Sequence, residues 1–385
     1  MEYEYTYRFR LYPNKEQRQV LARTFGCARY VYNWGKELRT NAYHSEGGES
    51  MSYTDTARKL TDLKKQEETK WLSNVSAVVL QQSLRNLERA FTNFFEGRAQ
   101  YPSFKRKHGD QTARYVGTAF DVREGKLKLS KMPGLVKINW SREMPESPTS
   151  CTVTKDASGR YHVCFSVKRE IPDLPKTKRA VGIDLGLTDV VVTSDGWKSG
   201  NPRYLKKSLH RLRREQQKLS RKEKGSNSWK RQKKRVAKAH AKVKDQRKDW
   251  IEKLTTKLIG EYDVICVETL AVQNMQKSGS LARGISDVAW GNLVRKLQYK
   301  AEWYGKTVVK IDRWFPSTKR CSDCGHTCDK LPLEIREWKC EECGASHDRD
   351  VNAAKNISRV GQTRFQAAGD QRKPMQGFEL AGSDQ

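Results

Sequence analysis

The chain opens on strict alternation. Tyr3, Tyr5, Tyr7, Phe9 and Leu11 fall on one side of an extended segment, and Glu4, Thr6, Arg8 and Arg10 on the other. A period of two marks a half-buried strand, which Pro13 ends. From Asn14 to about Gly97 the period turns helical, most clearly in Leu80, Leu84, Leu87, Phe91 and Phe94, whose spacings of four and three keep one helix face apolar. Strands return from about Tyr115 to Glu170; there Tyr161, Val163, Phe165 and Val167 alternate after a turn at Asp156 to Gly159, which predicts a hairpin. The pattern predicts a β-barrel over residues 1–12 and 101–172, interrupted by a helical insertion over 13–100. The stretch IPDLPKTKR, residues 171–179, holds two prolines and a basic end, and is expected to be a linker.

A second pattern begins at Ala180. AVGIDLGLTDVVVTSDG predicts two apolar strands joined by a short turn, with Asp184 inside the first. Leu205, Leu209, Leu212 and Leu219 then mark one helix, KGSNS turns at 224–228, and Trp229, Val236, Val243 and Trp250 recur every seven residues on a second. YDVICVETL (262–270) and KTVVKIDRW (306–314) predict short buried strands, the first ending at Glu268, with a helix from about Trp290 to Tyr304 between them. Strand, strand, helices, strand, helix, strand and a final helix make an α/β layout with a mixed sheet, which suits an RNase H-like fold.

Charge changes the picture. Lys and Arg number 75 against 45 Asp and Glu, a formal charge of +30, and such self-repulsion points to a polyanionic partner. Nucleic acid is the first candidate. A membrane surface would call for a basic amphipathic helix with a strongly apolar face, and no apolar run approaches the roughly twenty residues of a membrane helix. The chain is therefore expected to be soluble and cytoplasmic, with no signal peptide and no membrane partner. A solvated helix face explains any single charge in the 201–250 hairpin; its twenty Lys or Arg against four Asp or Glu need an offsetting partner.

Two constellations carry chemistry. Cys321 and Cys324 form one C-x2-C pair and Cys340 and Cys343 another, fifteen residues apart, each followed by a glycine; that is zinc-site spacing. Disulfides are the rival for paired cysteines, but the remaining ones are scattered in apolar contexts. Cys328, His326 and His347 compete as ligands, and the doublet symmetry favours the four cysteines around one structural Zn2+ with no open position. The second constellation is Asp184, Glu268 and Asp350. An acidic residue at a strand end is often a surface residue, and Asp350 alone could complement a helix dipole. Asp350, however, shares its helix face with Ala353, Ala354 and Ile357, so it heads an apolar stripe directed at the sheet. A carboxylate there needs a cation. Three such groups at one sheet edge would bind two Mg2+ or Mn2+ ions, the pair that activates water and stabilises the leaving oxygen in phosphodiester cleavage.

GIDLGL, VETL and HDRDVNAAKNI resemble the three RuvC motifs of the TnpB family, transposon-encoded RNA-guided DNA endonucleases similar to the nuclease half of type V CRISPR effectors. The resemblance extends over nearly the whole chain through YRFRLYPNKEQ, YPSFKRK, LARGISDVAWGNLVRKLQYKAEWYG and PSTKRCSDCG. Thr269 follows Glu268 where relatives often carry an acidic residue. The resemblance implies Asp184, Glu268 and Asp350 as the catalytic triad and the four cysteines as zinc ligands. It implies a multidomain α+β and α/β protein: a wedge-like barrel with a helical recognition insertion, a RuvC-like nuclease domain over 178–316 and 347–360, a zinc module over 317–346 and a disordered tail over 361–385. The expected partners are a guide RNA and target double-stranded DNA, bound by a monomer that is nucleoid-associated when on DNA. Tyr53 and Gln81 become candidates for reading a short duplex motif beside the target. Phe104, Lys105, Arg106 and Lys107, with Lys230, Arg231, Lys233, Lys234 and Arg235, become candidates for holding phosphates. The rival functions are an actin-like ATPase with DLGLT as phosphate hairpin, which lacks a second glycine-rich loop; a DNA-only transposase using the same triad; and a zinc-containing nucleic-acid-binding module with no activity.

Overall fold

The computed structural model describes residues 2–367 except 46, 47, 110, 278, 280, 281 and 333, and the side chain of Gln273. The chain divides into two compact units between Glu170 and Ile171.

In the first unit β1 (Glu2–Tyr12) is followed by helices α1 (Lys15–His44), α2 (Tyr53–Leu63) and α3 (Ala77–Phe95), with a 3-10 turn at Glu67–Asn74. Strands β2 (Gln111–Val116), β3 (Phe120–Arg123), β4 (Lys126–Leu129), β5 (Val136–Asn139), β6 (Ser150–Lys155) and β7 (Tyr161–Glu170) complete it. The strands form one antiparallel sheet in the order β2-β6-β7-β1-β5-β4-β3. Alternation along β1 buries Tyr7, Phe9 and Leu11, and they share one core with Tyr115, Leu127, Val163, Phe165 and the helical Leu21, Phe25 and Val79. The expected barrel needs correction. Among the described residues no pairing joins β2 to β3, so the ring is not closed by hydrogen bonds. The two edge strands are nevertheless joined by Gly117–Ala119 alone, a span of at most about 14 Å, which forces the sheet to curl until it is nearly closed. Asn14 starts α1 with a reciprocal capping box to Gln17, a feature typically worth about 1 kcal/mol.

The second unit contains β8 (Ala180–Asp184), β9 (Val192–Thr193), the long helices α4 (Tyr204–Ser220) and α5 (Asn227–Glu261), β10 (Val264–Glu268), the short α6 (Val272–Met275) and α7 (Ala282–Val288), α8 (Trp290–Trp303) and β11 (Thr307–Ile311). A small hairpin, β12 (Glu337–Lys339) and β13 (Ser346–Asp348), leads into α9 (Arg349–Ala367). The main sheet runs β11-β10-β8-β9, parallel except for β9. Parity along the strands decides what faces what. Val181 and Ile183 of β8, with Ile265 and Val267 of β10, share a core with Ile251, Leu254 and Leu258 of α5 and Leu293 and Leu297 of α8. The alternate positions, Gly182 and Cys266, meet α9: a Cβ on Gly182 would overlap the Ala354 carbonyl and the Ser358 amide, and one on Gly361 would overlap the Cys266 side chain. At these two contacts a side chain is missing from strand or helix, which lets the backbones approach closely.

Residues 171–179 are not a free linker. Leu174 donates its N–H to the Tyr304 carbonyl and Lys306 Nζ bonds the Pro175 carbonyl at 2.7 Å, which ties the stretch to the second unit. The boundary expected at 346/347 falls inside β13, and α9 continues past 360 to Ala367; residues 368–385 of the expected tail lie outside the described residues.

A candidate acidic site beside a cysteine module

Asp184 is the last residue of β8 and Glu268 the last of β10, and the register pairing Ile183 with Val267 sets them side by side at the carboxyl ends of adjacent parallel strands. Both lie two residues beyond the positions under α9, so they face the same side of the sheet as that helix. Asp350 sits in the first turn of α9, one turn before the Ala354 that packs on Gly182. The carboxylates affect one another. Burial, and then the charges of Glu268 and Asp350, push the pKa of Asp184 up to about 8, against the pull of Arg349. Burial also raises the pKa of Glu268, opposed by the Leu185 backbone N–H. Neither Asp184 nor Glu268 has an ion-pair partner among the described residues, and Asp350 faces only Arg336, whose Nη1 is 3.5 Å from each of its oxygens. The site gathers three carboxyl groups with only Arg336, Arg349 and Lys198 as nearby positive charge, a setting that would favour a bound cation.

Asp348 fixes the start of the helix. Its Oδ1 accepts from the N–H groups of Asp350 (3.1 Å) and Val351 (3.0 Å), capping α9, while Lys198 Nζ grips Oδ2 at 2.6 Å. Burial alone would raise the Asp348 pKa; Lys198 and the two N–H groups outweigh it and hold the carboxyl below its usual range.

The four cysteine sulfurs lie within 4.8 Å of one another, with Cys321–Cys343 and Cys324–Cys340 at 3.7 Å, a donor set that fits one structural zinc. The three carboxylates are not gathered as tightly. Cys328 packs with Leu331 and Trp338 outside the sulfur cluster. His347 Nε2 reaches Cys321 Sγ at 3.1 Å and its ring lies tilted against Trp338, which makes it a hydrogen-bonding neighbour of that sulfur rather than a member of the four.

Sequence reasoning missed what joins the module to the helix. Asn352 Oδ1 accepts the Ser322 N–H (2.8 Å) and its Nδ2 donates to the Arg320 carbonyl (2.8 Å). Asn356 Nδ2 donates to the carbonyls of Ser317 (2.9 Å) and Arg320 (2.5 Å), and Arg359 Nη2 to that of Ser322 (2.6 Å). Both asparagines are almost fully buried. The signal was present: two asparagines four apart, flanking the alanine stripe of NAAKN, cannot be left unbonded in a core.

The candidate nucleic-acid residues fall on three surfaces. Tyr53 opens α2 and carries the Arg85 guanidinium over its ring at 4.6 Å; exposed Gln81 lies one turn before Arg85 on α3. Phe104 is exposed under Lys36 Nζ at 4.0 Å, the Lys105 backbone exchanges two hydrogen bonds with Asn33, and Arg106 and Lys107 are exposed. On α5, Lys230, Arg231, Lys233, Lys234 and Arg235 are all exposed, whereas Gln232 between them is buried and bonds the Glu215 backbone and carboxylate of α4. The hairpin turns one side inward for packing and leaves its charge outward.

A mixed sheet with paired strand-end carboxylates, a third on the helix crossing it, and a cysteine module gripping that helix define an α/β protein with a candidate acidic site. The family described as "Probable transposase" matches residues 162–279, "Cas12f1-like, TNB domain" matches 290–357, and "Helix-turn-helix domain" matches 1–48; that last stretch folds here as one strand and one long helix. A Streptomyces pristinaespiralis protein named "Putative RNA-guided DNA endonuclease" is 46% identical over 98% of this chain and 94% of its own length. One from Escherichia coli (strain K12), "Putative RNA-guided DNA endonuclease InsQ", is 32% identical over 92% of each. The chain belongs to the TnpB family. A solved structure described as "Cryo-EM structure of the Cas12f1-sgRNA-target DNA complex" shares the fold over 93% of this chain and 99% of its own, with TM-score 0.52 at 13% identity. No helix among the described residues is long and apolar enough to cross a membrane.

Proposed function

We propose that this chain is a transposon-encoded, RNA-guided DNA endonuclease whose cleavage site is Asp184, Glu268 and Asp350. What supports the reading is geometric: Asp184 and Glu268 end adjacent parallel strands in register, and Asp350 lies in the first turn of the helix seated on that face of the sheet. An all-oxygen donor set of three carboxyl groups suits hard divalent cations. Two Mg2+ or Mn2+ ions bound there would supply an activated water and offset charge at the leaving oxygen. The protein's own part is positional. β8 and β10 hold two carboxylates in register, Asp348 and Lys198 fix the first turn of α9, and the Asn352, Asn356 and Arg359 bonds keep the cysteine module against that helix. Zn2+ at Cys321, Cys324, Cys340 and Cys343 is structural, since four sulfurs leave no position for substrate.

The basic surfaces complete the reading. The α4–α5 hairpin and Phe104 to Lys107 hold phosphates of guide RNA and of its duplex with target DNA, where charge without base readout suffices. Tyr53 and Gln81, near each other through Arg85, read the short duplex motif beside the target, while base pairing reads the target itself. The test is cleavage of a matched target by protein copurified with its RNA, with Mg2+, against the Asp184→Asn, Glu268→Gln and Asp350→Asn variants. Each variant should bind the target and fail to cut it. A variant that cuts at the wild-type rate would remove that carboxylate from the site, and cutting that does not depend on the bound RNA would favour the DNA-only transposase.

A further inference from the structure

Among the described residues of the second unit, one aromatic side chain stands out in solvent: Trp314 is 79% exposed. It is not on a loose loop. Its N–H donates to Asp312 Oδ1 at 2.8 Å, and the next residue, Phe315, turns the other way and packs with Cys266, Ile311 and Ile357 beneath α9. The Arg313 guanidinium lies 4.4 Å from the indole centroid. The chain is anchored on both sides of a ring that stands in solvent with a guanidinium over one of its two faces.

Its place in the fold gives this meaning. Ile311, the last residue of β11, is the register partner of Glu268, and Thr269 Oγ1 donates to the Ile311 carbonyl at 2.8 Å. Trp314 follows three residues later, within about 11 Å of Ile311 along the chain, so it stands at the carboxyl-end edge of the sheet that carries the acidic site.

Resting on the nuclease reading above, we infer that Trp314, with Arg313, is a stacking site for an unpaired nucleobase of the DNA strand that enters the acidic site. The occupant follows from the chemistry beside it. A flat apolar ring paired with a guanidinium suits a base and its phosphate, whereas an apolar protein partner would leave Arg313 desolvated and unpaired in a chain that already carries thirty excess positive charges. The site fixes where the strand lies, not which base it bears.

The experiment uses the RNA-loaded protein, with wild type, Trp314→Ala and Trp314→Phe compared on matched target. Stacking predicts a loss of about 5- to 150-fold in kcat/KM for the alanine variant, with most of it restored by phenylalanine and all three proteins melting alike. In an Asp184→Asn background, 2-aminopurine stepped along the cut strand should be quenched at one position, and that quench should vanish with alanine and return with phenylalanine. If wild type cuts and the alanine variant cuts equally well with the same quench, the stacking site is refuted. Wild-type self-association abolished by Trp314→Ala, with cutting unchanged, also overturns it in favour of a protein contact. Failure of wild type to cut refutes instead the nuclease reading, which the quench measurement does not require.

Discussion

Replacing Gly182 by alanine should disable the acidic site without touching a carboxylate. A Cβ there would stand 2.8 Å from Ser358 Cβ and nearer still to the Ala354 carbonyl oxygen and the Ser358 amide nitrogen. Backbone atoms of a helix cannot rotate aside, so α9 must retreat by roughly 1.5 Å to reach ordinary van der Waals distance. Overpacking of this kind costs about 1–3 kcal/mol, and backbone on the offended side puts the expected value near 3. For a unit of this size that lowers Tm by roughly 6–12 °C. Asp350 lies one turn from Ala354, so the same retreat draws it away from Asp184 and Glu268, and a misplacement of about 1 Å can reduce the rate by about 100-fold. The assay pairs thermal melting with single-turnover cleavage in Mg2+ by the RNA-loaded protein, and uses Gly260→Ala as control. Gly260 is an exposed position of α5 with nothing within 4 Å of its added Cβ, and alanine there should stabilise by about 0.5–1 kcal/mol. A Gly182→Ala protein that melts with wild type and cuts at the wild-type rate would show that α9 is not seated on this strand as described.

Elemental analysis should find one zinc per chain, and Cys321→Ser or Cys343→Ser should release it, lower the melting temperature and slow cleavage through the grip of Asn352 and Asn356 on the module; metal-free protein that stays folded and active would refute a structural zinc. Neutralising Lys230, Arg231, Lys233, Lys234 and Arg235 together should weaken binding for every guide alike and flatten log affinity against log salt by about 0.7–0.9 for each phosphate no longer neutralised, and an unchanged slope would make this a merely solvated face. Asp263 should contribute a pH-dependent share of stability. Burial works against its charge, but Lys306 Nζ at 2.6 Å and the N–H groups of Thr177 and Lys178 bring its pKa down to about 2. A folded pKa below the unfolded one stabilises at higher pH, so the penalty of Asp263→Asn should be complete above about pH 4 and shrink as pH falls toward 2; a penalty independent of pH would refute the ion pair's role.

Strand parity and helix period were legible wherever one face of an element is apolar and the other is not. That covers β1, the β6–β7 hairpin, α3, α8 and the carboxylate on α9, whose alanine stripe announced a close approach. The carboxyl-end placement of Glu268 was legible because a short apolar run ends on it, whereas Asp184, expected inside its strand, is the last residue of β8. What escaped was set by pairing between distant segments. Whether β2 meets β3 depends on how seven strands curl, not on any strand's own pattern. Gly182 looked like one more small residue in a buried strand until α9 was laid across it. Asp348 and Lys198, 150 residues apart, carry no local mark of being partners.

The polar face of α9 also explains why metal-ligand spacing and acidic motif occur together at this end of the chain. α9 has two buried surfaces with different jobs. Ala353, Ala354, Ile357 and Gly361 are small or apolar and let it sit close on the sheet, while Asn352, Asn356 and Arg359 bond main-chain groups of residues 317 to 322 around the first cysteine pair. Main-chain carbonyls make good anchors only if their own loop is rigid, and a loop with little apolar core of its own becomes rigid when its sulfurs share an ion. On the proposed reading, a zinc held there would act on catalysis through backbone geometry alone. Its removal would free the carbonyls of Ser317, Arg320 and Ser322, leave two buried asparagines without partners at a cost of about 1–3 kcal/mol each, and loosen the helix that carries Asp350.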